Sequence, residues 1–160
     1  MSKILVSYFS ATGNTKYVAK KLAKAIHGDL FEIEPVKKYT QGDLDWHDKN
    51  SISTIEMEDI TSRPKIKDKV KNLVDYETVV IDFPVWWYTC PTIINTFIEE
   101  NNFNGKNIYV FVTSGSSNVD ESFNNLKEKY PNLNFVEGRR FSKGEPEKVF
   151  VNWLKNSIEK

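Results

Sequence analysis

The chain has 160 residues, a length that suits one well-buried domain, and we expect residues 1–160 to form a single unit. Lysine plus arginine and aspartate plus glutamate number 22 each, so no global charge favours binding to nucleic acid or to an acidic membrane surface. One cysteine, Cys90, excludes an internal disulfide and any multi-cysteine metal or iron–sulfur site, and two histidines leave little for a metal cluster.

The first motif is a strand, a turn and a helix between Lys3 and Lys24. The apolar run from Ile4 to Phe9 is rich in strand formers and is typical of a central strand in a parallel sheet. From Asn14 onward, apolar residues recur at helical spacing as far as Ile26, and the lysines between them are left for solvent. The change of pattern predicts that a buried strand passes directly into an amphipathic helix.

The turn between this strand and this helix has the composition of a phosphate-binding loop. It supplies three hydroxyls, an amide and one glycine, and none of its residues is charged. Backbone N–H groups at a helix N-terminus lie at the positive end of the helix dipole, and the hydroxyls add further donors. We predict that a phosphate monoester binds here without a cation. The predicted phosphate-binding residues are Ser10, Ala11, Thr12, Gly13, Asn14 and Thr15.

Other kinds of phosphate loop do not match this turn. The chain has neither G-x-x-x-x-G-K-[ST], whose lysine reaches the outer phosphates of a nucleotide, nor G-x-G-x-x-G, which admits a pyrophosphate. The alternative that the residues leave open is that Ser10 or Thr12 caps the first helix and does nothing else. A cap needs one hydroxyl, whereas this turn has three.

The turn S-A-T-G-N-T resembles the [ST]-x-T-G-x-T phosphate loop of the flavodoxin family, and it follows the first strand as that loop does. The resemblance extends over nearly the whole chain. It implies a flavodoxin-like fold and FMN as the cofactor, bound non-covalently through its 5′-phosphate. Members of that family are often strongly acidic, and this chain departs from them in its balanced charge.

Strand and helix patterns alternate along the rest of the chain. Strands are predicted over 30–34, 78–83 and 107–112, with an interrupted last strand over 133–141. Helices are predicted over 64–74, 92–101, 119–130 and 145–158. This order predicts a three-layer doubly wound α/β sheet of five parallel strands in the order 2-1-3-4-5. Ligands of such sheets bind beyond the carboxyl ends of the strands, here between the first and the third.

Two further loops follow the third and fourth predicted strands, at the same edge of the sheet. In the first, Pro84 and Pro91 bracket three consecutive aromatic residues, a pattern that neither strand nor helix spacing explains. The second, from Thr113 to Asn118, is uncharged and rich in hydroxyls. We predict that the two loops bind the flat ring of the ligand. The predicted ring-binding residues are Pro84, Val85, Trp86, Trp87, Tyr88, Thr113, Ser114, Gly115 and Ser116.

Within the first of these loops, Trp87, and less favourably Trp86, is predicted to stack on the ring, while amides of residues 87–90 and 114–116 meet its polar edge. An electron-rich, apolar site of this kind disfavours the anionic reduced flavin and lowers its potential. The alternative is that the two tryptophans pack in the core or at a partner interface. The stretch also resembles the P-x-W-W-G-x-x-P…T-F-L-E segment of a short-chain branch of the flavodoxin family, except that Tyr88 replaces the glycine.

Residues 36–63 have no clear periodicity and are the least regular part of the sequence. A connection of this length is typical of a binding loop or a lid. The alternative is a solvated excursion that Tyr39 and Trp46 pin to the surface. The segment loosely resembles one in the same short-chain branch, and we assign no function to that match. The matching residues are Asp45-Trp46-His47-Asp48, Ser51, Glu56 and Arg63-Pro64.

No catalytic acid, base or nucleophile stands out, since Cys90 lacks a cationic neighbour in sequence and the chain has no G-x-S-x-G elbow. We therefore predict an electron carrier that exchanges electrons through FMN with redox partner proteins, a donor reductase and an acceptor. An FMN-dependent NAD(P)H quinone or flavin oxidoreductase is the alternative, and a flavin-free binding module is a third reading. We expect a cytoplasmic protein, monomeric or weakly dimeric, that binds neither nucleic acid nor membrane.

Overall fold

The fold is built on a parallel sheet, seen in a computed structural model that describes residues 3–113, 118–141 and 144–158. Within these residues the five strands are β1 (Lys3–Tyr8), β2 (Asp29–Glu32), β3 (Tyr76–Pro84), β4 (Asn107–Thr113) and β5 (Asn134–Phe141). Their order is β2-β1-β3-β4-β5, and every neighbouring pair is parallel. The predicted topology and strand order are confirmed.

Helices cover both faces of this sheet. In the described part of the chain they are α1 (Asn14–Ile26), α2 (Ile52–Glu58), α3 (Thr92–Glu100), α4 (Asp120–Lys129) and α5 (Glu147–Ile158). Side chains alternate along β3, so Val79 and Ile81 join an apolar cluster with residues of α3 and α4, whereas Val80 joins a cluster with residues of α1 and α5. Because each face is covered, the central strands are mainly apolar on both sides.

The point at which the strand order reverses positions the candidate site. The chain moves from β1 to β2 on one side and from β3 to β4 on the other, while β1 and β3 pair directly. The turn that leaves β1 leads to α1 on one face, and the loop that leaves β3 leads to α3 on the opposite face. The two connections diverge, and a crevice remains between them at the carboxyl edge of the sheet.

The helix predicted over 64–74 is wrong. Ile66 pairs antiparallel with Pro35, and backbone hydrogen bonds of 2.9 Å flank that pair on both sides. The chain then continues without α-helix to a short 3-10 turn at Leu73–Asp75. Ile66, Val70, Leu73 and Val74 recur at helical spacing with lysines between them, and this spacing imitates the pattern of an amphipathic helix. Pairing with the segment after β2 satisfies the backbone here, so no helix is needed to do so.

Two other elements differ in extent from their predictions. The connection 36–63 contains the seven-residue helix α2 and a 3-10 turn at Gly42–Leu44, neither of which periodicity predicts. The last strand, predicted with an interruption between 136 and 139, is continuous as β5. Its pairing register with β4 shifts at Val136, between the pairs Ile108–Phe135 and Tyr109–Glu137. A β-bulge places one extra residue in β5 and lets pairing continue on both sides of it, so the strand remains continuous.

Asp82 is an ionisable residue buried in the middle of the sheet. It is fully inaccessible to solvent, and neither carboxyl oxygen has a hydrogen-bond partner among the described residues. Burial raises the pKa of Asp82 well above its usual range, because a charge in this environment loses its hydration. The folded protein therefore keeps this proton at pH values where the unfolded chain has released it.

We expect Asp82→Asn to change how stability depends on pH. For a carboxyl whose pKa is raised by folding, its contribution to stability is complete below the unfolded pKa, near 3.8, and is lost as the pH rises towards the folded pKa. As the pH rises above about 4, the free energy of unfolding of the variant should therefore increase relative to that of the wild type, by up to about 1.4 kcal/mol per pH unit. Urea unfolding at a series of pH values measures this difference.

The exposed Asp68→Asn is the matched control, because it removes the same carboxyl from the surface. Its pH profile should run parallel to that of the wild type. A parallel profile for Asp82→Asn as well would contradict the conclusion that the buried carboxyl is protonated in the folded protein.

Candidate functional site

The turn between β1 and α1 closes on itself through Gly13. This glycine directly precedes the first residue of α1 and has φ 98°, a left-handed conformation that glycine adopts readily. The Ser10 Oγ accepts a hydrogen bond from the Gly13 amide at 3.0 Å. The Ser10 hydroxyl therefore holds the shape of the turn and does not reach the amides further along α1.

The first turn of α1 presents amides without a side-chain cap. Within the described residues no side chain caps this helix, so neither Ser10 nor Thr12 fills the role that the capping alternative requires. The first turn also has no acidic residue, unlike that of α4, which carries Asp120 and Glu121. An anion at this end of α1 meets N–H groups and the positive end of the helix dipole, without a carboxylate in that turn to repel it.

The aromatic loop after β3 contains a tight two-residue turn. The Trp86 amide donates to the Thr89 carbonyl and the Thr89 amide donates to the Trp86 carbonyl, both at 2.9 Å. Between them, Trp87 and Tyr88 have φ values of 47° and 65°. Two central residues with positive φ match a type I′ turn, for which Asn-Gly is favoured and aromatic residues are unusual. The backbone of the loop is therefore strained at two aromatic residues.

Contacts with α4 hold this turn in place. The Ser122 hydroxyl donates to the Tyr88 carbonyl at 3.5 Å, and the Asn125 side-chain amide donates to the Thr89 hydroxyl at 3.1 Å. Among the described residues, the amides of Trp87 and Tyr88 have no hydrogen-bond partner. The Thr89 amide, predicted to meet the ring edge, is instead used within the turn.

The two tryptophans of the loop have different surroundings. Trp86 is half-buried and packs edge-to-face against Phe9 and Tyr39, with 5.7 and 5.5 Å between ring centroids. Trp87 leaves 41% of its surface exposed, and Tyr88 leaves 68% exposed. An exposed indole has a surface that a ligand can cover, whereas Trp86 is already engaged with two aromatic rings. This difference favours Trp87 as the stacking residue.

A cleft of about 490 Å³ opens between the phosphate turn and the aromatic loop, a volume typical of small-molecule sites. Ala11 and Thr12 line it from the turn, and the aromatic loop lines it from Pro84 to Tyr88. Ser10 and Gly13 line an adjoining groove on the other side of the turn. The structure thus brings together residues of both predicted binding elements around one crevice.

The remaining predicted site residues have different positions. Asn14 is exposed and Thr15 is buried, both in the first turn of α1. The carbonyl of Thr113 accepts from the Val85 amide at 3.2 Å, so the end of β4 lies beside the aromatic loop. The Thr113 hydroxyl is buried and has no partner in the described part of the chain. Ser114, Gly115 and Ser116 lie outside the described residues.

A third wall of the cleft comes from the connection 36–63, which lies outside the predicted phosphate-binding and ring-binding residues. Leu44, Trp46 and Ser53 line the cleft together with the two predicted elements. Of the two alternatives for this connection, its position favours the binding loop. The signal that could have identified it is Trp46, a large aromatic residue in a charged stretch without periodicity.

The cleft is electrically neutral. Among the described residues that line it, Tyr88 is the one with a titratable side chain. Cys90, at the end of the loop, is buried, and burial raises the pKa of its thiol to about 12, so the nucleophilic thiolate is scarce at neutral pH. The site can bind a planar ring with a phosphate, and its lining supplies neither a carboxylate nor an imidazole for acid–base chemistry.

Two other features, a metal-binding cluster and a membrane-spanning helix, are absent from the ranges 3–113, 118–141 and 144–158. No three His, Cys, Asp or Glu side chains are grouped there so that they could hold a metal ion. No helix in these ranges combines the length and the apolar character that crossing a membrane requires.

Comparison with protein families agrees with this geometry. The family model described as Flavodoxin matches residues 3–157, a span that includes the phosphate turn, the connection 36–63 and the aromatic loop. No curated protein matches the chain significantly.

Solved structures provide relatives of similar length. A protein named as a flavoprotein from Bacteroides eggerthii DSM 20697 is 47% identical, with a TM-score of 0.96 and 100% of each chain covered. Another from Bacteroides uniformis ATCC 8492 is 47% identical, with a TM-score of 0.92 and coverage of 96% of this chain and 98% of that one. A Lactobacillus acidophilus NCFM flavoprotein in complex with FMN is 23% identical, with a TM-score of 0.75 over 97% of this chain and 99% of that one.

We expect the strain in the aromatic turn to be measurable at Tyr88. At φ 65° an L-residue is less favourable than glycine by about 1 kcal/mol. The free energy of unfolding of Tyr88→Gly should therefore exceed that of Tyr88→Ala by about this amount, as measured by urea unfolding of the cofactor-free protein. Comparing the two truncated variants removes the contribution of the phenol ring.

The same two substitutions at Leu30, exposed in the extended strand β2, are the control. There the glycine variant should be the less stable one, by about 0.5 to 1 kcal/mol. If alanine at position 88 is at least as stable as glycine, the backbone strain inferred for this turn is absent.

Proposed function

The chain belongs to the flavodoxin family, and on that premise we propose that it is an electron-transfer protein that works through non-covalently bound FMN. The observation that carries the proposal is the cleft, which joins an uncapped helix N-terminus to an aromatic loop at the reversal point of the sheet. The Lactobacillus acidophilus relative in complex with FMN supports the same cofactor.

The turn from Ser10 to Thr15 suits the phosphate end of FMN. Its first-turn amides, the helix dipole and the exposed Thr12 hydroxyl all favour an anion. The open space at Gly13, where no heavy atom lies within 4 Å of the position that a Cβ would take, leaves the backbone accessible. These features fit a phosphate monoester better than a pyrophosphate, for which this turn lacks the required glycines.

The aromatic loop suits the ring end of the same ligand. The exposed Trp87 indole offers an apolar surface, and the amides of Trp87 and Tyr88 lack partners among the described residues. Backbone amides need a hydrogen-bond acceptor, and polar atoms at the edge of a flavin ring would serve as one. When bound, FMN supplies the redox chemistry, and the protein contributes binding and electrostatics.

The neutral lining of the cleft favours electron transfer over catalysis. No Asp, Glu, Lys, Arg or His side chain lines it among the described residues, so the lining provides no general acid or base of these types. Electron transfer through an exposed ring edge needs none. The absence of a cation in this lining also disfavours negative charge on the ring, which favours a low reduction potential.

We further propose that the redox partners are proteins, a donor reductase and an acceptor. Trp87 and Tyr88 are exposed at the rim of the cleft and offer an apolar contact surface for them. The alternative is an FMN-dependent NAD(P)H quinone or flavin oxidoreductase, and the rate of NAD(P)H oxidation distinguishes it from a carrier.

We expect Thr12→Asp to weaken FMN binding and to spare riboflavin, which has the same ring without the phosphate. The added carboxylate would lie in the turn and repel the phosphate, so the dissociation constant for FMN should rise by at least about tenfold while that for riboflavin stays unchanged. Titration of the cofactor-free protein, followed by flavin fluorescence, measures both constants.

Asn132→Asp is the matched control. Asn132 is exposed and lies just before β5, at the amino edge of the sheet, so this variant adds the same charge at the edge opposite the phosphate turn. It should change neither constant beyond a small, salt-sensitive effect. Equal losses of FMN and riboflavin in Thr12→Asp, or no loss of either, would contradict the assignment of the phosphate to this turn.

The carrier proposal also predicts slow turnover with small substrates. With NAD(P)H as the donor and a soluble quinone as the acceptor, we expect the FMN-loaded protein to turn over well below about 1 per second, the low end for typical enzymes. Steady-state oxidation of NAD(P)H measures this rate. Rapid, saturable turnover would replace the carrier with the oxidoreductase alternative.

A further inference from the structure

Trp46 is an aromatic residue that lies outside both predicted binding elements, the phosphate turn and the aromatic loop. It lies in the connection between β2 and β3, leaves 66% of its surface exposed, and lines the cleft together with Leu44 and Ser53. An indole is a large apolar surface, and leaving it in water forgoes a substantial gain from burial. Its position at the cleft suggests that a ligand covers it.

The backbone around Trp46 is held by hydrogen bonds that do not involve its side chain. Before it, the Thr40 amide donates to the Asp43 carboxylate at 2.9 Å, and the Asp43 amide donates to the Thr40 hydroxyl at 3.1 Å. At the turn itself, the Asp45 carboxylate accepts from the His47 amide at 3.0 Å. After it, the Ser51 hydroxyl caps α2. These bonds fix the backbone on both sides of the indole.

Tyr39, and not Trp46, anchors the connection to the rest of the fold. Its ring packs against Phe9 and Trp86, and its hydroxyl donates to the Glu56 carboxylate at 2.6 Å. Burial raises the pKa of Tyr39, and the hydrogen bond to Glu56 adds to the effect. Because Tyr39 already provides the anchor, the role of surface anchor does not account for Trp46.

The Trp46 indole is also held from one side. The imidazole of His47 lies against it, with 3.6 Å between ring centroids and an angle of 31° between the planes. His47 covers part of the indole while another part lines the cleft. A large aromatic side chain is therefore restrained beside an apolar crevice before any ligand arrives, which lowers the entropic cost of stacking on that ligand.

We propose that Trp46 is a ring-binding residue, contributed by the β2–β3 connection, that packs against the flavin ring and forms the third wall of its site. The inference rests on the proposed FMN function and adds to it a segment that the phosphate turn and the aromatic loop do not include. It also gives the connection a role, because the hydrogen bonds around Trp46 then serve to place one side chain against the ligand.

The test compares flavin binding by Trp46→Ala and Trp46→Phe with binding by the wild type. Dissociation constants for FMN and for riboflavin are measured by fluorescence titration of each cofactor-free protein. We expect Trp46→Ala to raise both constants by about tenfold and by the same factor, because the lost contact is with the ring that the two ligands share. Trp46→Phe keeps an aromatic face and should stay within about threefold of the wild type.

Val74→Ala is the control for truncating an exposed apolar side chain. Val74 is 88% exposed in the 3-10 turn that precedes β3, at the edge of the sheet opposite the cleft, so neither constant should change. Trp46→Leu is a second non-aromatic variant, which keeps an apolar side chain larger than alanine, and should also weaken binding of both ligands severalfold. Because Trp46 is mostly exposed, the urea midpoints of these variants should match that of the wild type.

The visible absorption of the bound flavin provides a second readout, since stacking on an indole shifts its bands. The shift should shrink in Trp46→Ala and persist in Trp46→Phe. Unchanged constants and bands in Trp46→Ala, with FMN bound by the wild type, would overturn the role of Trp46 and leave the proposed function intact. A loss confined to FMN would also overturn it, because the effect would then act through the phosphate. A wild type that binds no FMN would overturn both.

Discussion

The parallel pairing of β1 with β3 is the contact on which the rest of the structure depends. It makes two strands neighbours although their following helices cover opposite faces of the sheet, so the turn after β1 and the loop after β3 begin together and then separate. The bond from the Phe9 amide to the Asp82 carbonyl carries this pairing to the carboxyl edge. There the Phe9 ring meets Tyr39 and Trp86, and this cluster joins the three walls of the cleft.

The sheet and two of these walls are predictable from sequence for physical reasons. A strand buried on both faces is mainly apolar, and β1, β3 and β4 are, with Ser7 and Asp82 among the buried polar exceptions. The positions of these strands and their alternation with helices indicate the topology. The turn at Ser10–Thr15 and the aromatic loop are also recognisable. Formation of the sheet requires neither uncharged hydroxyls nor consecutive aromatic residues at strand ends, so their presence there indicates another role. Their convergence then follows from the strand order.

The third wall and the shape of the aromatic turn depend on contacts that sequence patterns do not report. Ile66 pairs with Pro35 across thirty-one positions of sequence, and this pairing replaces the helix that its local spacing predicts. Trp46 lines the cleft from a segment that Tyr39 anchors to Trp86, a contact distant in sequence. Trp87 and Tyr88 adopt positive φ against their local preference, which requires the surrounding structure to impose it.

A crystal structure of the protein grown with excess FMN tests the central claim most directly. We expect electron density for the phosphate at the Ser10–Thr15 turn and for the flavin ring in the cleft beside Trp87. Well-ordered crystals grown with FMN that show no phosphate at this turn and no ring in the cleft would contradict the proposed site.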